Sequence, residues 1–169
     1  MPIRDMQPTC ENMQCMIDYS NAHLSKKAKE VKQVTRKALK QFNGSDINLL
    51  KRLAQKVFNT YIRMRDKDLP CISCDYSGIG RQWHAGHYKP RGGNSLLAFS
   101  EKNVHRQCSI CNNHLSGNLV PYRANLIIKI GLDEVGLLES QNTIKKWSVE
   151  ELQDIIKTYR QKLKKLQRT

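Results

Sequence analysis

Residues 71–118 read CISCDYSGIGRQWHAGHYKPRGGNSLLAFSEKNVHRQCSICNNHLSGN, and this stretch, Cys71 to Asn118, decides the fold. It holds four of the chain's six cysteines and four of its five histidines. Two CxxC pairs, Cys71/Cys74 and Cys108/Cys111, bracket His84, His87, Asn103 and His105, and Asn112 and His114 follow at once. The spacing predicts two sites: a thiolate site that folds the segment, and a cluster of His and Asn beside it.

How the cysteines are read depends on the compartment. The opening residues, MPIRDMQPTC, have no apolar core that would make a signal peptide, and no apolar run in the chain is long enough to cross a bilayer. The expectation is therefore a cytoplasmic protein, in which thiols stay reduced and paired CxxC spacing signals metal. Neither pair sits in a βαβ pattern, so Cys71, Cys74, Cys108 and Cys111 are assigned to one closed, tetrahedral structural zinc site. Cys10 and Cys15 form a CxxxxC arrangement near His23. They are read either as unengaged thiols or as part of a metal site shared with His23 or a second chain.

Zinc would bring the two knuckles together and fold what lies between them into a hairpin. Arg81 to Tyr88 reads as one strand, Arg91-Gly92-Gly93-Asn94 as a turn and loop, and Asn103 to Gln107 as a second strand. A short helix after Cys111 would complete a ββα unit. His84 and His87 are three residues apart and face opposite sides of an ideal strand. A bulge at Ala85-Gly86 would allow both to reach one cleft.

Outward from this centre the chain is helical. Leu24 to Phe42 is rich in Lys, with Ser25 as N-cap and a thin apolar stripe of Val31, Val34, Ala38 and Leu39, and Asn43-Gly44 stops it. A second helix follows Ser45 or Asp46 to about Asp66. It carries Ile47, Leu50, Ala54, Val57, Phe58, Tyr61 and Ile62 on a packing face, and Lys51, Arg52, Lys56, Arg63 and Arg65 outward. Tyr122 to Ile130 and Asp133 to Gln141 are two short helices separated by Gly131. Ser148 and Glu151 form a capping box for the last helix. That helix packs through Leu152, Ile155, Ile156, Tyr159, Leu163 and Leu166, and ends in the cations Lys157, Arg160, Lys162, Lys164, Lys165 and Arg168. The expected fold is α+β and predominantly helical: a poorly ordered segment 1–24, a basic helical arm 25–66, a zinc-bound core 67–120, and a helical region 121–169.

The formal net charge of +14 and pI near 9.7 point to a polyanionic partner, and DNA or RNA fits better than a membrane surface. A nuclease acting on such a partner needs a base to deprotonate water, a divalent ion to neutralise the phosphorane, and a group that fixes the tautomer of the base. Histidine suits the base, and one N and one O ligand suffice for Mg²⁺ or Mn²⁺, which keep several waters. A zinc hydrolase using His84, His87 and His114 would lack a carboxylate base nearby, and no segment has helix-turn-helix or finger spacing.

The order CxxC, then HxxHY near a turn, then Asn-x-His-x-x-Cys-x-x-Cys-Asn resembles the HNH (ββα-metal) endonucleases that carry a four-cysteine zinc knuckle. The segments DLPCISC, AGHY, NVHRQC and ICNNHLSGNLVPYR resemble the NinG/Rap recombination nucleases of lambdoid phages more closely, from Asn59 to Gln167. That resemblance implies His87 as general base, His84 and Asn112 as ligands of the catalytic Mg²⁺ or Mn²⁺, and Asn103 as the residue that orients the base. His105 and His114 are secondary metal candidates. Gly86 stands where most HNH enzymes place a metal ligand directly before the base, so His84 takes that role from further back. The resemblance also implies cleavage of branched DNA such as D-loops and Holliday junctions, in the host cytoplasm if the chain is phage-encoded. A homodimer would explain paired incisions. The competing expectation is a zinc-containing module that binds nucleic acid without cutting it.

Overall fold

The computed structural model describes residues 13–168, and leaves aside the side chains of residues 38–43. Two compact units divide at residue 45. The first contains one helix, α1 (Met13–Ser45), and the second runs from Asp46.

Helix α1 begins earlier than its sequence suggests: of the segment 1–24 expected to be poorly ordered, residues from Met13 onward are helical and residues 1–12 lie outside the described residues. No Gly or Pro interrupts residues 13–42, and Gln14 Nε2 donates to Asp18 Oδ1 across one turn at 3.1 Å. Ser25 is no N-cap: its hydroxyl donates back to the Ala22 carbonyl at 2.9 Å, as a residue inside a helix does. Val31 and Val34 are exposed, as are Cys15 and His23. The proposed pairing of Cys10 with Cys15 lies outside the described residues, as does the side-chain environment of Ala38 and Leu39.

The second unit is built on α2 (Ile47–Arg65), which starts where Asp46 Oδ1 accepts from the backbone N–H of Asn48 and Leu49 at 2.9 and 3.1 Å. Such a cap stabilises a helix by about 1 kcal/mol. Its buried face, Leu50, Ala54, Phe58, Tyr61 and Ile62, packs on α5 (Val149–Leu166) through Leu152, Ile156 and Tyr159. Helix α5 carries the expected capping box, with Ser148 Oγ accepting from Glu151 N and the Glu151 carboxylate accepting from Ser148 N.

Between α2 and α5 in the chain lies a two-stranded antiparallel sheet of β1 (Trp83–His87) and β2 (Val104–Cys108). The pairing runs without interruption from Trp83 opposite Cys108 to His87 opposite Val104, so the bulge expected at Ala85-Gly86 is absent. Gly86 answers a different need. Gln107 leans across it, and a Cβ at Gly86 would stand 2.1 Å from Gln107 Oε1.

After β2 the chain makes a single π-type turn, Ile110–His114, closed by Leu115 N donating to the Ile110 carbonyl at 3.0 Å. This turn stands where a short α-helix was expected, because Ser116, Gly117 and Asn118 all adopt positive φ (48°, 93° and 43°) and stop propagation. Helices α3 (Leu119–Ile130) and α4 (Leu132–Ser140) follow and bury Tyr122, Leu126, Val135 and Leu138 against Ile72, Tyr88 and Leu97. The architecture is α+β and mainly helical. No described helix is long and apolar enough to cross a membrane.

Candidate active site and metal centre

The four cysteines converge as their spacing predicts. Cys71 and Cys74 sit on the loop after α2, Cys108 ends β2 and Cys111 lies in the π-type turn, and their Sγ atoms all fall within 4.8 Å of one another. Among the described residues this is the one group of three or more His, Cys, Asp or Glu side chains close enough to share an ion. Cys71 Sγ accepts from the N–H groups of Ser73 (3.5 Å) and Cys108 (3.3 Å), and Asn118 Nδ2 reaches Cys111 Sγ at 3.5 Å. The Arg81 guanidinium approaches Cys108 and Cys74 at 3.7 and 3.9 Å.

Burial raises the Cys71 thiol and pushes Cys111 up to about 12. Burial opposes ionisation of Cys108 as well, but donors from the Cys111 backbone and Arg81 bring it down to about 6. Thiols held this close cannot all ionise without a cation among them. A closed set of four sulfurs suits one tetrahedral zinc, which would lock β2 and the π-type turn to the loop after α2.

Next to β1 lies a cavity of about 810 Å³, lined by His84, His87 and Asn112 together with Asn59, Arg63 and Arg91, among others. It curls around the unpaired edge of β1, with α2 supplying one wall and the π-type turn the other. That is how two histidines on opposite faces of a regular strand share one space without a bulge.

His87 Nε2 lies 3.1 Å from the Ala98 carbonyl oxygen. A carbonyl only accepts, so Nε2 carries the proton and Nδ1 keeps its lone pair. Burial pushes this imidazole down to about 4, with the Arg91 charge acting in the same direction and the Ala98 hydrogen bond against it. His87 is therefore neutral at physiological pH.

Asn112 Nδ2 lies 3.2 Å from His84 Nδ1 and donates to Asn113 Oδ1 at 2.7 Å. As it stands the amide nitrogen faces the imidazole, and His84 and Asn112 would hold one Mg²⁺ or Mn²⁺ with the amide turned so that its oxygen faces the ring. The amide presents either atom by rotation.

Asn103 is fully buried, and its side-chain hydrogen bonds go elsewhere than to His87. Its amide donates to the carbonyls of Lys89 (3.1 Å) and Leu97 (3.2 Å) and accepts from Lys89 N at 2.8 Å. It thus ties both ends of the loop between the strands, and the Ala98 carbonyl that meets His87 follows directly from Leu97. Asn103 and the imidazole are thus linked through that loop.

The two secondary candidates stand apart from the cavity. His105 is buried in a different network: Arg65 reaches its Nδ1 at 3.1 Å and its Nε2 meets the Lys102 carbonyl at 3.2 Å. Burial lowers its pKa despite Asp66 beside it. His114 is exposed on the π-type turn and does not line the cavity.

Arg65, expected to face outward, belongs to the same buried network. It makes a two-pronged pair with Asp66 at 2.8 Å for each bond and donates to the carbonyls of Glu101 and Val104. Burial opposes the charge of Asp66, but hydrogen bonds from Arg65 and from the Arg106 backbone N–H, with the Lys129 charge nearby, hold its carboxyl well below the usual range.

Sequence reasoning missed Asn59, Arg63 and Arg91 as cavity residues. Asn59 and Arg63 are four residues apart on a helix whose periodicity marks it for packing on the core, and that spacing was the available signal. Arg91 stands in a turn, where the sequence signals turn chemistry alone.

The whole chain, residues 1–169, matches the family model described as Bacteriophage Lambda NinG protein. It is 49% identical over 113 residues to Protein ninG of Escherichia phage lambda, an alignment covering 67% of this chain and 55% of the relative. The corresponding protein of Escherichia phage 933W is 50% identical over 113 residues, covering 67% of this chain and 56% of the relative. That of Salmonella phage P22 is 49% identical over 113 residues, with coverages of 67% and 55%. The chain thus spans about half the length of these curated relatives. No solved structure matches it.

Proposed function

The chain belongs to the bacteriophage NinG family, and from that premise we propose that it is a metal-dependent DNA endonuclease of the HNH, ββα-metal kind. Its substrates on this reading are branched recombination intermediates such as D-loops and Holliday junctions, met in the host cytoplasm. A homodimer would place two cuts across one junction.

One observation carries the reading: a neutral histidine with a fixed tautomer, His87, shares a cavity with the His84–Asn112 pair and with two arginines, Arg63 and Arg91. The order β1, β2, π-type turn supports the reading, because a ββα-metal unit runs in the same order, although the third element here is a single turn.

The roles follow from the chemistry of each group. His87 Nδ1 takes the proton of the attacking water, while the Ala98 carbonyl holds the ring. Asn103 keeps that carbonyl in place. Arg63 and Arg91 offer charge to the phosphate oxygens from two walls of the cavity. His84 and Asn112 would hold the Mg²⁺ or Mn²⁺, which supplies charge neutralisation at the phosphorane and the leaving oxygen. Cys71, Cys74, Cys108 and Cys111 would hold zinc as a folding element. The net charge of +14 and the exposed cations of α2 and α5 supply salt-dependent affinity for the DNA backbone.

Cleavage of labelled linear, flapped, D-loop and four-way DNA, with Mg²⁺ and Mn²⁺ varied, tests the proposal. Faster cutting of the branched substrates is expected. Binding without cutting in either ion would leave a zinc-containing nucleic-acid-binding module.

A further inference from the structure

Beside the cavity the chain does something that cleavage chemistry does not require. Ser116, Gly117 and Asn118 hold three consecutive positive φ values (48°, 93° and 43°), and two of these residues are not glycine. A run of this kind costs of order 1 kcal/mol or more for each non-glycine residue and persists only where the surroundings impose it.

Here the surroundings do impose it. Gly117 N donates to the Cys111 carbonyl at 2.9 Å, and Asn118 N closes the turn onto the Leu115 carbonyl at 2.7 Å. The Gly117 carbonyl accepts from Gln107 Nε2 at 2.5 Å and from Ser73 Oγ at 3.4 Å. Asn118 Nδ2 donates to the Ser73 carbonyl at 3.3 Å. The loop is bolted to both cysteine knuckles.

What it holds outward is apolar. Leu115 is 53% exposed, Leu119 42% and Val120 85%, while the intervening Ser116 and Gly117 line the cavity wall. Three branched aliphatic side chains stand in water on either side of this rigid turn, Leu115 before it and Leu119 and Val120 at the start of α3, beside a basic cavity in a chain of net charge +14. DNA-binding proteins use such side chains as wedges between base steps, where unstacking is offset by apolar contact.

We propose that Leu115, Leu119 and Val120 form a wedge that inserts against unpaired or unstacked bases at a DNA branch and sets the adjacent phosphodiester in the cavity. The inference rests on the nuclease reading of that cavity and adds to it the feature that selects branch over duplex. The occupant is the face of an unstacked base. Phosphates on either side of it meet Arg63 and Arg91, which is why a rim next to these residues suits DNA rather than an apolar protein partner.

The test needs no catalysis. A four-way junction carrying 2-aminopurine at the branch is bound in Ca²⁺ by the wild-type chain and by Leu115→Ser/Leu119→Ser/Val120→Ser, with a linear duplex as competitor. The substituted side chains are exposed, and melting temperatures confirm that both proteins are folded. The wild type should raise 2-aminopurine fluorescence severalfold and prefer the junction by about tenfold or more. The triple variant should lose the rise and most of the preference, and Leu115→Phe alone should keep both. A wild type that binds the junction without any rise overturns the wedge, as does a folded triple variant that keeps the rise and the preference. A wild-type dimer that becomes a monomer in the triple variant also overturns it, assigning the patch to contact between copies. A fluorescence rise without cleavage in Mg²⁺ or Mn²⁺ leaves the wedge standing and removes the nuclease reading instead.

Discussion

His87 Nε2 lies 3.1 Å from the carbonyl oxygen of Ala98, and this contact fixes which nitrogen of the imidazole can act as a base. Ala98 belongs to the short 3₁₀ turn Ser95–Phe99 between the strands, which Asn103 ties down through the Leu97 carbonyl at 3.2 Å. The His87 ring is thus held by a loop that is itself held by one buried amide.

The pH dependence follows from the same contact. The His87 imidazole titrates near 6.5 when exposed and is pushed down to about 4 in the fold, chiefly by burial. Between those values the unfolded chain binds more protons, so stability is complete above about pH 6.5 and is lost as pH falls toward 4. His105 is shifted in the same direction, so the test compares variants. The melting temperature of His87→Gln should fall less between pH 6.5 and 4 than that of the wild type. Equal slopes would show that His87 is not held neutral by the fold.

Gly86 and Gln107 form a size-matched pair. Gly86→Ala places a Cβ 2.1 Å from Gln107 Oε1 and 3.0 Å from Gln107 Cβ. Urea unfolding should show a loss of roughly 1–3 kcal/mol, typical of an overpacked site. The double variant Gly86→Ala/Gln107→Ser should be less unstable than the two single losses summed, because the shorter side chain makes room. Strict additivity would mean that the two residues do not meet.

The thiolate site should couple metal to folding. Cys108→Ser removes one of four sulfurs, and zinc content and melting temperature should drop together. Zinc that stays at one per chain would show that these four cysteines are not its ligands.

The cations at the end of α5 divide into two groups. Lys162 is tied to Glu101 and lies over the rings of Tyr61 and Tyr159, so Lys162→Gln should lower stability more than it changes DNA affinity. Lys164, Lys165 and Arg168 are exposed. Changing these three to Gln should flatten the slope of log K against log salt by about 0.9 for each phosphate that is no longer neutralised. An unchanged slope would mean that α5 does not touch the DNA backbone. Deleting the tail from Gln161 would confuse the two effects, because Leu163 and Leu166 pack on the core.

Much of this arrangement is legible in the sequence, because some signals are local. Cysteine spacing marks the four-thiol cluster, helical periodicity marks the buried faces of α2 and α5, and Ser148 with Glu151 marks a cap. The rest depends on contacts remote in the chain. A bulge at Ala85-Gly86 is the local solution to bringing His84 and His87 together, whereas the structure lets a cavity wrap the free edge of a regular strand. Arg65 has the spacing of surface charge, and only the fold closes Asp66, Glu101 and Val104 on it. The π-type turn around Cys111 reflects a run of positive φ at Ser116 to Asn118 that only Gly117 hints at. Helix α1 reaches back to Met13 because nothing in residues 13–24 breaks a helix, although no apolar period announces one.

The central claim is that His87 acts as a base on a phosphodiester, and a labelled four-way junction incubated with wild type and His87→Ala in Mg²⁺ and in Mn²⁺ tests it most directly. The account predicts cutting by the wild type and a loss of at least about 100-fold in the variant, the size of a general-base contribution, with gel-shift affinity nearly unchanged. A wild type that binds the junction but leaves it intact in both ions, or a His87→Ala variant that cuts at the wild-type rate, would contradict it.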